Sequence, residues 1–342
     1  MPIIKKATLN PNMAENYRPI TLSSVHTKLI ERIMLPEDNI SDNQFGFRQG
    51  RGTAFGCSLL NDVIQYSIDG GSTIYVCSLD AEKCFDKIWH EALLYKLWNK
   101  IPLCHWMFIY RWYKSLHAVV RWNEGFSDSF NITRGTRQGS VLSPIFFNYF
   151  IDDLLQALVN AGKGLKVGEC GINNFAYADD ITLLSSTITG LQSLIDLCHS
   201  YASEWRFSFG LKKSKCMTVG RKLFSEQPKW YIGGHLMSNT INLEILGVSY
   251  DATGSNHTHV GARSSACRRS FFGLADVGMS YPGFSSEVKS HLWKSVCAPT
   301  LLYGVDGINM NDTVIKQVES IQGSLMKQCL GRGKRCNHAN GF

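Results

Sequence analysis

Residues 173–185 run Asn-Asn-Phe-Ala-Tyr-Ala-Asp-Asp-Ile-Thr-Leu-Leu-Ser. Two apolar, β-prone runs, Phe175–Ala178 and Ile181–Leu184, flank Asp179 and Asp180. Each run is too short for a helix and has strand character. Aspartate tolerates turn geometry, so the pair predicts a hairpin with two adjacent carboxylates at its tip. Crowding two negative charges is costly unless a cation sits beside them. Hard oxygen ligands suit Mg²⁺. An isolated Asp-Asp turn is more often just a solvated turn, so the decision rests on the rest of the chain.

Upstream, Thr73–Leu79 predicts a strand that ends at Asp80. An apolar helix is expected from Pro144 to Val159, with proline in its first turn. Beyond the hairpin, Leu191–Trp205 predicts a helix and Cys216–Val219 a strand. The order strand–helix–strand–strand–helix–strand suggests a ferredoxin-like α+β sheet. On that layout Asp80 lies beside the hairpin and three carboxylates converge. Such a cluster suits two metal ions about 3.5–4 Å apart, the arrangement used for in-line displacement at phosphorus.

Elsewhere residues 1–16 read as an irregular arm. Helices are expected over Thr21–Met34, from Thr53 to about Ile68, and over Trp89–Trp98 and Cys104–Leu116. Ala118–Trp122 and Ser129–Thr133 predict a strand pair around Asn123-Glu-Gly. Trp230–Leu236 and Ile245–Tyr250 predict short strands, and helical spacing returns at about 259–275, 285–303 and 312–330. A boundary is expected near Asp251–Asn256.

The chain has 342 residues, 44% hydrophobic and 18% charged, which is a globular composition and excludes a disordered one. Its net charge of +7 is compatible with a nucleic-acid partner but does not require one. Eleven cysteines with no Cys-x-x-Cys pair imply a reducing compartment without a disulfide framework. Cys329, Cys336 and His338 fit no standard zinc spacing. The N-terminus lacks an apolar signal region, and no stretch reaches the roughly 18 apolar residues of a membrane span. An intracellular, non-secreted protein without a membrane partner is expected.

Seven blocks carry a resemblance. They are Tyr17-Arg-Pro-Ile-Thr-Leu, Gln44-Phe-Gly-Phe-Arg, Leu79-Asp-Ala-Glu-Lys-Cys-Phe-Asp, Arg137-Gln-Gly-Ser-Val-Leu-Ser-Pro, Phe175-Ala-Tyr-Ala-Asp-Asp, Leu211–Lys215 and Ile245-Leu-Gly-Val. Each is weak alone. In order, from Tyr17 to about Tyr250, they resemble the reverse transcriptase of a LINE-type (non-LTR) retrotransposon.

The resemblance implies an α+β right-hand polymerase with a ferredoxin-like palm, fingers and a helical thumb. Residues 1–72 would be the arm and fingers, 73–255 the palm with finger insertions, 256–330 a thumb-like region and 331–342 a disordered basic tail. It implies an RNA-directed DNA polymerase that extends a primer 3′-hydroxyl with dNTPs in retrotransposition. Two Mg²⁺ ions, replaceable by Mn²⁺, are its expected cofactors. RNA template, DNA primer and dNTPs are its expected partners, and a nuclear or cytoplasmic ribonucleoprotein its setting.

Residue by residue, Asp80 and Asp179 resemble the metal ligands and Asp180 the adjacent acid. Phe85 is similar to the aromatic that underlies the sugar and excludes a 2′-hydroxyl; on physics alone it also reads as core. Gln138 and Gly139 resemble the segment facing the incoming nucleotide, and they also suit a helix-entry turn. Arg48 and Arg18, with Arg51 behind them, are candidates for phosphate contact, and Arg18 also reads as an ion-pair partner. Lys215 resembles the lysine near the leaving pyrophosphate, or else is solvated. Leu246 and Gly247 resemble a primer-gripping hairpin, or else a strand packed on the palm. Asp86 is read as orienting local structure.

The segment between Met34 and Gln44 looks shorter than the family's, which implies trimmed fingers. An endonuclease domain is expected elsewhere in a full-length element, so the chain reads as a polymerase core from a longer polyprotein or a degenerate copy. An inactive relic or co-opted RNA-binding protein keeping the fold is the alternative. An RNA-dependent RNA polymerase is disfavoured by Phe85.

Overall fold

A strand that reads apolar on both faces must be covered on both. Ile74–Asp80 (β1) is such a strand, with Ile74, Tyr75, Val76, Cys77 and Leu79 all buried. In the computed structural model, residues 2–5, 10, 12–13, 16–36, 39–220, 227–275, 279 and 284–329 are described. The tail 331–342, with Cys336 and His338, lies outside them. The chain divides into two compact units. The first comprises Met1–Gly52, Val76–Lys215 and Pro228–Ser238; the second comprises Thr53–Tyr75, Cys216–Gln227 and Asn239–Phe342.

After β1 come the helix Ser143–Asn160 (α1), the strands Asn174–Tyr177 (β2) and Asp180–Ser185 (β3), the helix Ile188–Glu204 (α2) and the strand Lys215–Val219 (β4). In the first unit the hydrogen-bonded order is β2–β3–β1. Helix α1 buries Phe146, Phe147, Tyr149, Phe150, Ile151, Leu154, Leu155 and Leu158, so it is apolar nearly all round, as a core helix must be. Lys96 is also buried here, its Nζ 2.7 Å from Asp153 and 3.8 Å above the ring centre of Trp205.

Strands β2 and β3 pair antiparallel, from Asn174 opposite Leu183 to Tyr177 opposite Asp180. The tip of this hairpin is therefore Ala178-Asp179, one residue earlier than expected, and Asp180 belongs to the ladder. Aspartate was expected to take the unusual turn geometry, but Ala178 carries the positive φ of +55°. The expected Ala118–Trp122 with Ser129–Thr133 pairing is two smaller ladders: His117–Ala118 with Phe130–Asn131, and Arg121–Trp122 with Gly125–Phe126.

The helix Val25–Ile33 starts at Ser24, whose hydroxyl accepts the Thr27 N–H at 3.1 Å. Its burial runs opposite to its pattern. Leu22, Val25, Leu29 and Ile33 are exposed, while Glu31 is 0% exposed.

The second unit is built on the helix Thr53–Asp69, which buries Cys57, Leu60, Val63 and Ile64. Ile245–Tyr250, expected as one strand, is a hairpin of Asn242–Ile245 with Val248–Asp251. Leu246 (φ +52°) and Gly247 (φ +77°) form its turn, and a two-residue hairpin loop favours positive φ at both central positions. The Tyr250 hydroxyl donates to the Cys57 carbonyl at 3.0 Å. The helices His257–Gly273 and Asp312–Cys329 follow the expected spacing. The expected 285–303 helix is interrupted. Ser286–Leu292 passes into a π-helical turn, Trp293–Cys297, before Ala298–Leu302, because Pro299 has no N–H for the carbonyl four residues back. The described residues contain no helix long and apolar enough to cross a membrane, and their ten cysteines are all free.

His259, fully buried, ties this unit together. Its Nδ1 accepts the Ser249 N–H at 3.2 Å and its Nε2 faces the Tyr303 carbonyl at 2.9 Å. Only a neutral ring protonated on Nε2 satisfies both, and burial pushes its pKa below the ordinary value. The unfolded chain then binds the proton more readily, so stability is lost as pH falls below about 6.5. Melting temperature followed from pH 7.5 to 5 should fall less steeply for His259→Gln than for wild type; parallel curves would refute this assignment.

Candidate active site

Asp80 closes β1, and its backbone is fixed on both sides. Its N–H donates to Ser214 Oγ at 3.2 Å, and its carbonyl accepts the Gly210 N–H at 2.9 Å. The next N–H, of Ala81, points to the Asp179 carbonyl at 3.5 Å, so Asp80 and Asp179 end neighbouring segments. The Asp80 carboxylate is held by Lys213 Nζ, 2.8 Å from Oδ1 and 3.0 Å from Oδ2. Asp179 accepts a hydrogen bond from the buried Cys84 thiol. Burial raises the Asp179 pKa, with Asp80 adding to the rise. Asp180 is pushed up to about 6 by lost hydration and by the charges of Asp179 and Asp80. The Asp180 side chain still reaches solvent, so like-charge repulsion is the firmer part of that rise.

Three acceptor-only carboxylates that repel one another are a donor set suited to a hard divalent cation. As placed, the described residues contain no group of three or more His, Cys, Asp or Glu side chains closed into a metal site. Asp80 is turned to the ammonium of Lys213, which supplies the local positive charge. The donor chemistry fits Mg²⁺, provided that Asp80 exchanges Lys213 for the ion.

The turn bearing Asp179 is clamped by Gln44-Phe-Gly. Fully buried Gln44 accepts the N–H groups of Ala178 and Gly46, each at 2.9 Å, on Oε1. Its Nε2 donates to the Ala178 carbonyl at 3.4 Å. The Phe45 N–H donates to the Ala176 carbonyl, and the Ala176 N–H to the Asn43 carbonyl, both at 2.8 Å. These bonds hold Ala178 in its left-handed conformation. Gly46 is required because a Cβ there would lie 2.3 Å from the Ala178 nitrogen.

The segment Arg134–Val141 is pinned beside Phe85. The Thr136 N–H donates to the Phe85 carbonyl at 2.7 Å, and His90 Nε2 bonds the Gly135 carbonyl at 2.7 Å. Gln138 Nε2 donates to Asp86 Oδ1 at 2.6 Å, and the Gln138 carbonyl accepts the Thr21 N–H at 2.8 Å. Gly139 has φ +104°. Phe85 is half-buried, its ring 4.7 Å from Phe147 and 6.3 Å from Phe47 between centroids.

The remaining candidates have their own local settings. Arg48 is nearly buried and donates to the Ser41 carbonyl at 2.8 Å and the Gln44 carbonyl at 3.3 Å, a structural use of its guanidinium. Arg51 bonds Asp42 at 2.6 Å. Arg18 is exposed on Tyr17–Pro19, opposite Ile3. Lys215 is exposed at the start of β4. Leu246 and Gly247 lie in the second unit, where the Tyr303 hydroxyl donates to the Leu246 carbonyl at 2.8 Å.

Sequence reasoning did not single out Lys213, Cys84 or the clamping role of Gln44. Lys213 sits in a Lys-Lys-Ser-Lys run whose spacing does not say which ammonium turns inward. Gly46→Ala forces a Cβ into backbone and should cost at least about 2 kcal/mol of stability. Chemical denaturation compared with Gly52→Ala, which meets open space, checks this. Equal midpoints would remove the clamp from the argument.

The family model for "Reverse transcriptase (RNA-dependent DNA polymerase)" matches residues 4–250. The chain is 26% identical to the RNA-directed DNA polymerase from mobile element jockey of Drosophila funebris, over 96% of this chain and 37% of that protein. It is 29% identical to the Pol polyprotein of type-2 retrotransposable element R2DM of Drosophila melanogaster, over 72% of this chain and 24% of that protein. It therefore spans only about a quarter to a third of the length of these relatives. Among solved structures, apo telomerase from Candida tropicalis matches with a TM-score of 0.50 at 12% identity, over 90% of this chain and 49% of that one, a likeness of fold alone. The family-model match over residues 4–250, in line with the ordered blocks and the acid-bearing strand ends, establishes that the chain belongs to the reverse transcriptase family.

Proposed function

We propose that the chain is an RNA-directed DNA polymerase of a LINE-type retrotransposon, extending a primer 3′-hydroxyl with dNTPs. The observation that carries this reading is the juxtaposition of Asp80 with Asp179, joined by Asp180, in a chain of this family. These residues would hold two Mg²⁺ ions, or Mn²⁺ in their place. The ions supply activation of the 3′-hydroxyl and neutralisation of the leaving pyrophosphate. The turn at Ala178-Asp179 and the strand end at Asp80 fix the backbones of the ligands, and the Asp80 side chain would take up the ion in exchange for Lys213.

On this reading Gln138 and Gly139 face the incoming nucleotide, and Phe85 beside them underlies its sugar. Arg18 and Arg48 are assigned to triphosphate or template phosphate, Lys215 to the pyrophosphate, and Leu246 and Gly247 to the primer. The β2–β3–β1 order supports a ferredoxin-like palm within residues 73–255. Residues 1–72 would supply fingers and 256–330 a thumb. RNA template and DNA primer are the partners, in a ribonucleoprotein inside the cell, with an endonuclease encoded elsewhere in the full-length element.

Primer extension on an RNA template with dNTPs and Mg²⁺ tests this. Wild type should extend, and Asp179→Asn should lose at least about 100-fold in rate. An unchanged rate in that variant would overturn the ligand assignment; no extension by wild type, where a relative works, would overturn the activity.

Lys213 gives a readout without catalysis. In Lys213→Met, Asp80 faces the other carboxylates with its ammonium removed, so Mg²⁺ should raise the melting temperature more than in wild type. Equal shifts with and without the lysine would remove the cation-exchange idea.

A further inference from the structure

Glu31 is the one acid of a helix that turns its apolar stripe to solvent, and it is 0% exposed. Burying an acid while exposing Val25 and Leu29 has to be offset by what the acid touches. Its Oε1 lies 2.6 Å from Arg137 Nη2, and its Oε2 accepts the Val141 N–H at 2.7 Å. One carboxylate thus grips both ends of a five-residue segment. Gln138 and Gly139 lie between the two grips.

Other contacts make that span stiff. The Arg137 guanidinium stacks 4.1 Å from the Trp112 ring centre. The Gln138 carbonyl accepts the Thr21 N–H, and a Cβ on Gly139 would come 3.1 Å from the Thr21 carbonyl. Thr21 leads directly into the helix that carries Glu31. The backbone on one side and the carboxylate on the other therefore fix the same turn.

We propose that Glu31 is a positioning residue that sets the Gln138–Gly139 turn for the incoming nucleotide through its two-oxygen grip on Arg137 and Val141. The assignment rests on the reading of that turn as nucleotide-facing. Glu31 touches no substrate. Its effect is on where the turn sits, so nucleotide binding should respond more than the chemical step.

The test compares wild type, Glu31→Ala, Glu31→Gln, Arg137→Met and the double variant Glu31→Ala/Arg137→Met. Glu31→Ala should raise KM for dNTP roughly tenfold or more, with kcat within about threefold. Glu31→Gln keeps an acceptor for the Val141 N–H and should recover part of that loss. The double variant should be no worse than Glu31→Ala alone, because two residues acting as one unit do not add. It also removes the half-buried arginine left without its carboxylate, so it carries the test if Glu31→Ala does not fold. Hydrogen exchange at the Val141 amide should quicken by roughly tenfold or more in Glu31→Ala, as expected for a lost charged hydrogen bond. A fall in kcat at unchanged KM, additive losses, or unaltered Val141 exchange would each overturn the proposal. If wild type extends no primer, the polymerase reading fails, and Val141 exchange still decides whether the grip exists.

Discussion

Repulsion among Asp80, Asp179 and Asp180 is the constraint on which the first unit depends. Left alone, three carboxylates at adjoining strand ends would separate or take up protons. The chain prevents separation with backbone bonds. Ser214 and Gly210 hold Asp80 from one side, and Gln44 holds the Ala178-Asp179 turn from the other. The charge itself is met by Lys213 and by the Cys84 thiol. The rise of the Asp180 pKa to about 6 is the part left uncompensated. Such leftover charge is a usual mark of a functional site.

Much of this was legible in the chain because the signals were local. Short apolar runs around Asp179, an apolar helix beginning near Pro144, and a strand ending at Asp80 each follow from periodicity and turn chemistry. What escaped was set by tertiary contact. The hairpin tip falls on Ala178 because Gln44, 134 residues away in sequence, binds its N–H. The segment 245–250 folds back because Leu246 and Gly247 both accept positive φ, and periodicity alone does not reveal a leucine that does so. The expected 285–303 helix breaks for a reason present in the sequence, Pro299.

Within the site, the same division holds. The acids were identifiable by type and spacing. Lys213 was not, because a run of three lysines in four residues gives no direction to any side chain. The basic, glycine-rich setting of Arg48 makes it a phosphate candidate, and does not announce that its Nη1 also donates to two carbonyls of its own loop. Helix Val25–Ile33 follows the expected spacing, but its orientation does not: Glu31 turns inward to Arg137 and the Val141 N–H while Val25, Leu29 and Ile33 face solvent.

The close approach of Gly46 to Ala178 also limits how this protein can change over time. The two backbones touch, so no side chain can be gained at position 46 unless the turn at 178 moves. If that turn moves, Asp179 moves with it. Neighbouring Gly52 meets open space and can drift freely, while Gly50, also in open space, is held only by its own φ of +75°. A glycine-rich stretch thus mixes one residue locked to a site 132 positions away with others under no such tie. Mutational tolerance along it should be read residue by residue, since the locked position can change only together with its distant partner.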